Sequence, residues 1–198
     1  MRFLIRIVHL FFAVLPIYAI GFDLSHGSHN IANYFSHFTI LSNVVTSCVF
    51  FYLAVLGTDK KGPTIDSVRG ASLGYLVVSS AVYFLLLQNI YASPPIAWVN
   101  AVLHKIMPAV AVFGWLIFPP RTSLKLSESF KWLAFPIFYL AYTLIRGGIL
   151  DYYPYPFLDP GTSGGLSVFI YCVVIAISGL ILSAVIIVLG NKLRDFRK

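Results

Sequence analysis

Thr39, Ser42, Asn43 and Thr46 stand at i, i+3, i+4 and i+7 in a long apolar run, so on a helix they form one polar stripe. In water such a stripe would turn to solvent. In lipid it must face other protein, because an unsatisfied polar group in hydrocarbon is costly. Two further runs carry groups that could meet it: Asn100 and His104, four residues apart, and Tyr142 and Arg146, also four apart. Gln88 and Asn89 close a third run. A hydroxyl, an imidazole and amide or guanidinium donors are the components of an acyl-transfer site. The Thr39 hydroxyl would attack a carbonyl carbon while a neutral His104 imidazole takes its proton. Asn43 or Arg146 would stabilise the oxyanion or hold a substrate carboxylate. Asn89, Asn100 and Tyr142 complete the candidate binding set, and Asn100 or Tyr142 could orient the imidazole.

Each residue also has a plainer reading. A lone intramembrane Thr back-bonds to its own helix, as Thr39 could. Asn43 and Asn89 could be interhelical hydrogen-bond glue, and His104 a packing histidine. Lys105 and Arg146 could snorkel to headgroups. No short motif here has the specificity of a nucleophile elbow. The functional reading rests on these residues sharing one level of a membrane.

Composition requires that membrane. The 198 residues are 59% hydrophobic and 11% charged, against about 25% charge in a soluble domain. Apolar runs long enough to span a ~30 Å hydrocarbon core recur at 3–22, 35–56, 68–91, 96–118, 130–149 and 165–189. The chain reads as an all-α integral membrane protein, a six-transmembrane-helix bundle forming one domain over residues 1–198. Arg2 and Arg6 ahead of the first run mimic a signal peptide, but that run is too long and no small-residue cleavage site follows. Cys48 and Cys172 lie inside apolar runs, away from metal-ligand spacing, and read as packing residues. His26, His29 and His37 lie in or near one loop without a Cys or carboxylate pattern, so no metal and no cofactor is expected.

A net charge of +7 raises nucleic acid as a partner, but the distribution argues against it. Arg2 and Arg6, then Lys60, Lys61 and Arg69, then Arg121, Lys125 and Lys131, then Lys192, Arg194, Arg197 and Lys198 all fall on one face of the bundle. The connections 23–34, 92–95 and 150–164 contain no Lys or Arg. By the positive-inside rule both termini are cytoplasmic. With the direction of each helix fixed, a rise of about 1.5 Å per residue puts Thr39 one turn and Asn43 two turns below the outer surface. His104 lies roughly 12 Å below the start of its helix, and Arg146 near an outer end. The loop 151–161, rich in Tyr and Pro, reads as a stiff turned segment rather than a helix.

Three segments resemble a known family: Tyr-Phe-Ser-His-Phe-Thr-Ile-Leu-Ser-Asn at 34–43, His-Lys-Ile-Met-Pro at 104–108 and Tyr-Pro-Tyr-Pro-Phe-Leu-Asp-Pro at 153–160. With the six-helix layout, they look like a bacterial membrane family similar to the eukaryotic androgen-induced and androgen-dependent transmembrane proteins. The eukaryotic members are threonine hydrolases of fatty acid esters of hydroxy fatty acids. The resemblance implies that Thr39 is the nucleophile and that His104, four residues before Pro108, is its base. The region of Tyr142, Arg146, Gly147 and Gly148 departs from the eukaryotic pattern, which leaves the substrate open: Arg146 could hold a carboxylate or a phosphate.

The expectation is an intramembrane hydrolase of lipid (fatty acid) esters in the bacterial cytoplasmic membrane. Its partners would be the bilayer and an ester substrate reached laterally from the outer leaflet. The rival expectation is a small-solute or lipid transporter using the same polar cluster as a binding site. A non-catalytic scaffold would make changes at Thr39 and His104 biochemically silent.

Overall fold

The computed structural model of the chain describes residues 2–27, 29–57, 62–88, 90 and 96–197. Asn89, Lys60, Lys61, Lys198 and the 92–95 connection therefore lie outside the described residues. Among the described residues there is no strand, and six helices are long and apolar enough to cross a bilayer. They are α1 (Phe3–His26), α2 (Phe38–Leu56), α3 (Pro63–Leu87), α4 (Ala97–Ile117), α5 (Glu128–Leu150) and α6 (Gly165–Asp195). The six-helix, all-α architecture read from hydropathy is thus the architecture of the fold. α2 packs between α1 and α3. α3 brings Ser79 to the polar stripe, where its hydroxyl meets Thr39.

Several helix ends differ from the sequence expectation, and side-chain hydrogen bonds account for them. α1 continues past residue 22 because Ser25 donates to the Phe22 carbonyl at 2.9 Å and the His26 ring bonds the same oxygen at 3.0 Å. α2 starts at Phe38 rather than 35. Asn30 caps a separate single turn, Ile31–Tyr34, by accepting the Asn33 N–H at 3.1 Å. The Ser36 hydroxyl (2.6 Å) and the His37 Nδ1 (3.1 Å) then both bind the Asn33 carbonyl, which closes that turn before the long helix begins. The loop 151–164 is more ordered than a simple turn. It holds a 3-10 turn, Pro156–Leu158, and a one-turn helix, Pro160–Ser163, capped by Asp159 accepting the Gly161 N–H at 2.8 Å.

Two prolines inside helices free carbonyls that neighbouring helices then satisfy. Pro136 in α5 has no N–H for the Trp132 carbonyl, and Tyr75 of α3 donates to that oxygen at 2.8 Å. Pro108 in α4 does the same to His104, whose carbonyl accepts the Ser80 hydroxyl at 2.8 Å. A π-turn at Val102–Ile106 precedes Pro108, and a second lies at Tyr83–Leu87 in α3. In the α4 turn Met107 N–H reaches back to Val102, which leaves the Leu103 carbonyl open as well. Asn43 of α2 donates to it at 3.3 Å.

The arginine-bearing end is clasped by a buried carboxylate. One Asp66 oxygen accepts the Arg121 N–H (2.9 Å), the Thr122 N–H (2.8 Å) and the Thr122 hydroxyl (2.8 Å). Arg69 approaches the other oxygen at 3.4 Å and donates to the Phe118 carbonyl at 2.6 Å. Glycine lets two tryptophans close the same end. A Cβ on Gly190 would stand 2.7 Å from the Trp115 ring, and one on Gly70 would overlap the Trp132 ring. Arg6 lies beside Gly57 at the end of α2, and Arg197 donates to Ile117 at the end of α4, so these ends lie together.

Candidate functional site

The polar stripe of α2 is buried throughout: Thr39, Ser42, Asn43 and Thr46 are all less than a tenth exposed. Its members divide by partner. Ser42, Thr46 and Ser47 donate to the carbonyls four residues back, at 2.5, 2.8 and 2.9 Å, and so are satisfied within their own helix. Thr39 is not. Its hydroxyl reaches across to Ser79 of α3, with the two oxygens 2.8 Å apart. Asn43 has two carbonyl acceptors, Thr39 at 2.9 Å and Leu103 at 3.3 Å, which together fix its amide nitrogen on that side. Both N–H groups are then committed, and Oδ1 is buried without a partner. In this arrangement Asn43 ties α2 to the opened turn of α4.

His104 sits in that opened turn. Its ring stacks on Tyr83 with centroids 4.0 Å apart and planes 21° apart, and Nδ1 is buried with no hydrogen-bond partner. Asn100, one turn earlier in α4, donates to the Tyr83 hydroxyl at 2.8 Å. Asn100 thus reaches the imidazole through Tyr83, and the two π-turns bring these three groups together.

Two cavities meet at Thr39. The first, about 660 Å³, is the more polar of the two and lies at the end of the bundle that carries His26, His29, His37 and His104. His104, Asn100, Tyr83, His26, His29, His37, Asp23 and Asn33 line it. The second is a narrow apolar groove of about 130 Å³ between α3, α5 and α6. On α3 its walls run from Gly74 to Leu87, a rise of roughly 20 Å. Ile137 and Ala176, both exposed, form its lip on the outer surface of the bundle. Thr39, Leu87 and Tyr155 line both cavities. The Thr39 hydroxyl therefore stands where a polar chamber joins a hydrocarbon-lined one.

Comparison of the chain with protein-family models, curated proteins and solved structures finds no match. The chemistry of the site must be read from its own geometry.

The remaining candidates are placed as follows. Arg146 is half-buried. Nη2 donates to Asn33 Oδ1 at 2.6 Å, Nη1 is buried without a partner, and the guanidinium lies 5.4 Å from the Tyr152 ring centre. Asn33 and Tyr152 belong to the polar chamber's wall, so Arg146 stands behind its rim. Tyr142 is 46% exposed and lines neither of these two cavities. Asn89 lies outside the described residues. Lys105 is exposed, with its ammonium 5.9 Å from the Phe84 ring centre. Among the described residues no three His, Cys, Asp or Glu side chains converge where they could hold a metal ion.

Sequence reasoning passes over Ser79, Ser80 and Tyr83, and treats Tyr155 only as part of a loop patch. The adjacent serines in the middle of an apolar run, with Tyr83 one turn on from Ser79, are the signal that could have found the first three.

Proposed function

We propose that this chain is a membrane hydrolase of long-chain lipid esters, with Thr39 as nucleophile and His104 as general base. The observation that carries this reading is the junction of the apolar groove and the polar chamber at Thr39. An amphiphilic ester fits that arrangement: its acyl chain lies in the groove, its alcohol portion in the chamber, and its carbonyl at the junction. A small polar solute would have no use for the groove, whose apolar walls offer it no path. The resemblance to the threonine hydrolases of fatty acid esters of hydroxy fatty acids belongs to the same proposal.

The reaction proceeds in two balanced halves. Thr39 leaves Ser79 and its Oγ attacks the ester carbon while His104 accepts the hydroxyl proton. The tetrahedral intermediate collapses, the C–O bond to the alcohol breaks, and His104 returns the proton to the departing alkoxide. Water then attacks the acyl-Thr39 ester, giving a proton to His104; the C–Oγ bond breaks, His104 returns that proton to Thr39 Oγ, and the fatty acid leaves. Stacking on Tyr83 and an unpartnered ring nitrogen support an imidazole that is held in place but chemically uncommitted. Arg146, behind the rim, holds Asn33 of the chamber wall through Nη2.

The segregation of Arg and Lys supports an orientation with the clasped end in the cytoplasm and the chamber facing outward. Both termini are then cytoplasmic, in a bacterial cytoplasmic membrane, and an outer-leaflet lipid reaches Thr39 with its head in the chamber.

Purified protein in detergent, treated with a fluorophosphonate probe, tests the nucleophile. The expected result is labelling that maps to Thr39 and falls in both Thr39→Ala and His104→Ala. Hydrolysis of long-chain esters by both folded variants at the wild-type rate would overturn the assignment. Solute uptake into proteoliposomes that is lost in Arg146→Ala would identify a transporter instead.

A further inference from the structure

An ester hydrolase needs a donor for the oxygen that becomes negative, and the first two candidates do not fill that role. Asn43 has both amide hydrogens on main-chain carbonyls, and Arg146 lines neither cavity. Tyr155 lines both. It is 6% exposed and its ring is fixed, stacked on Phe157 at 5.2 Å with planes 4° apart and meeting the His37 ring edge-on at 5.6 Å. Its hydroxyl has the Thr39 side chain, the main-chain N–H groups of Phe38 and Thr39 and the Tyr139 side chain as neighbours. Those N–H groups open α2, where the first long-helix bond is from Leu41 to His37 at 3.2 Å, so they have no partner within the helix. The neighbouring Tyr139 hydroxyl already donates to the Ser36 carbonyl at 3.0 Å, and the Tyr155 phenol stands beside Thr39 at the junction of the two cavities.

We infer that Tyr155 is a catalytic residue: its phenolic O–H donates to the ester carbonyl oxygen as Thr39 attacks, and stabilises the oxyanion that forms. This rests on the hydrolase reading. Tyr155 keeps its own proton in the step. The pair of electrons from the carbonyl moves to oxygen, the Thr39 proton goes to His104, and the Tyr155 hydrogen bond shortens to the new charge. Burial raises the Tyr155 pKa, so the phenol keeps its proton at neutral pH.

The test uses the full chain in detergent micelles with p-nitrophenyl palmitate. Tyr155→Phe keeps the ring and its stack and removes only the hydroxyl. It should lower kcat about 100-fold with little change in KM. A long-chain trifluoromethyl ketone, which becomes a tetrahedral adduct on Thr39, should bind about 100-fold more weakly to Tyr155→Phe. A long-chain ether of the same length should bind both proteins equally. Phe157→Leu loosens the stack but keeps the hydroxyl, and should lower Tm without separating ketone from ether. An unchanged kcat in Tyr155→Phe, or equal losses for ketone and ether, would overturn the role of Tyr155 while Thr39→Ala still abolished turnover. Absence of hydrolysis by the wild type, or its persistence in Thr39→Ala, would instead overturn the hydrolase reading and this inference with it.

Discussion

Thr39 is distinguished from the hydroxyls around it by where its hydrogen bond goes. Ser42, Thr46 and Ser47 are closed on their own helix, and Thr39 alone in that stripe of hydroxyls bonds to a neighbouring helix. A bond to another side chain is exchangeable in a way that a back-bond is not. Replacing His104 by Ala should lower kcat by roughly 10²–10⁴-fold with the helical fold retained, checked by circular dichroism beside the ester assay. Asn43→Ala acts differently: it strips a donor from two buried carbonyls, and should cost about 1–3 kcal/mol, read as a lower thermal midpoint in detergent. His37 makes stability depend on pH. Burial, with a smaller contribution from His29, holds its pKa below the ordinary value of about 6.5. As pH falls through that value the unfolded chain takes up the proton first. The stabilisation is therefore complete above about pH 6.5 and is lost as pH drops toward the folded value. The midpoint should fall on acidification, less steeply in His37→Gln; equal slopes in the two proteins would show that another group is responsible. At this scale the stripe on α2 was readable from spacing alone. The partners Ser79, Tyr83 and Tyr155 were not, because a hydroxyl's choice between its own helix and the next is made by packing.

Helices carry the site by being locally broken. The π-turn and Pro108 open α4 beside His104, and the exposed carbonyls become attachment points for Asn43 and Ser80. Pro108→Ala restores an N–H that competes with Ser80 for the His104 carbonyl. It should reduce turnover while leaving thermal stability equal or higher, so a loss of both would mean that the proline serves folding rather than placement of the ring. Ala176 sits at the lip of the apolar groove, and Ala176→Phe should shift ester preference toward shorter acyl chains, measured across a series of chain lengths. The six elements were legible because bilayer thickness dictates their length. Their ends moved where Ser25, Ser36 and His37 bind nearby carbonyls, and hydropathy contains no trace of such bonds. The π-turns were invisible for a related reason: one extra residue in a turn barely alters a 3.6-residue period.

The molecule divides end from end. One end is clasped by Asp66, Arg69 and the tryptophans Trp115 and Trp132; the other holds His26, His29, His37, His104 and the open chamber. The segregation of Arg and Lys that marks the clasped end was plain in the sequence, whereas the carboxylate at its centre looked like any loop acid. Asp66→Ala removes the acceptor of three hydrogen bonds and leaves Arg69 without its ion pair, and should destabilise the fold by about 3–5 kcal/mol. Unfolding in a denaturing detergent titration is the measurement. In the proposed membrane hydrolase the groove's lip between Ile137 and Ala176, both exposed, would meet acyl chains rather than water. A ligand entering there arrives by diffusion in two dimensions, so what the protein senses is the mole fraction of ester in its membrane or micelle. Adding inert detergent at constant bulk ester should therefore slow turnover by surface dilution, and the detergent's own alkyl tail should compete for the groove.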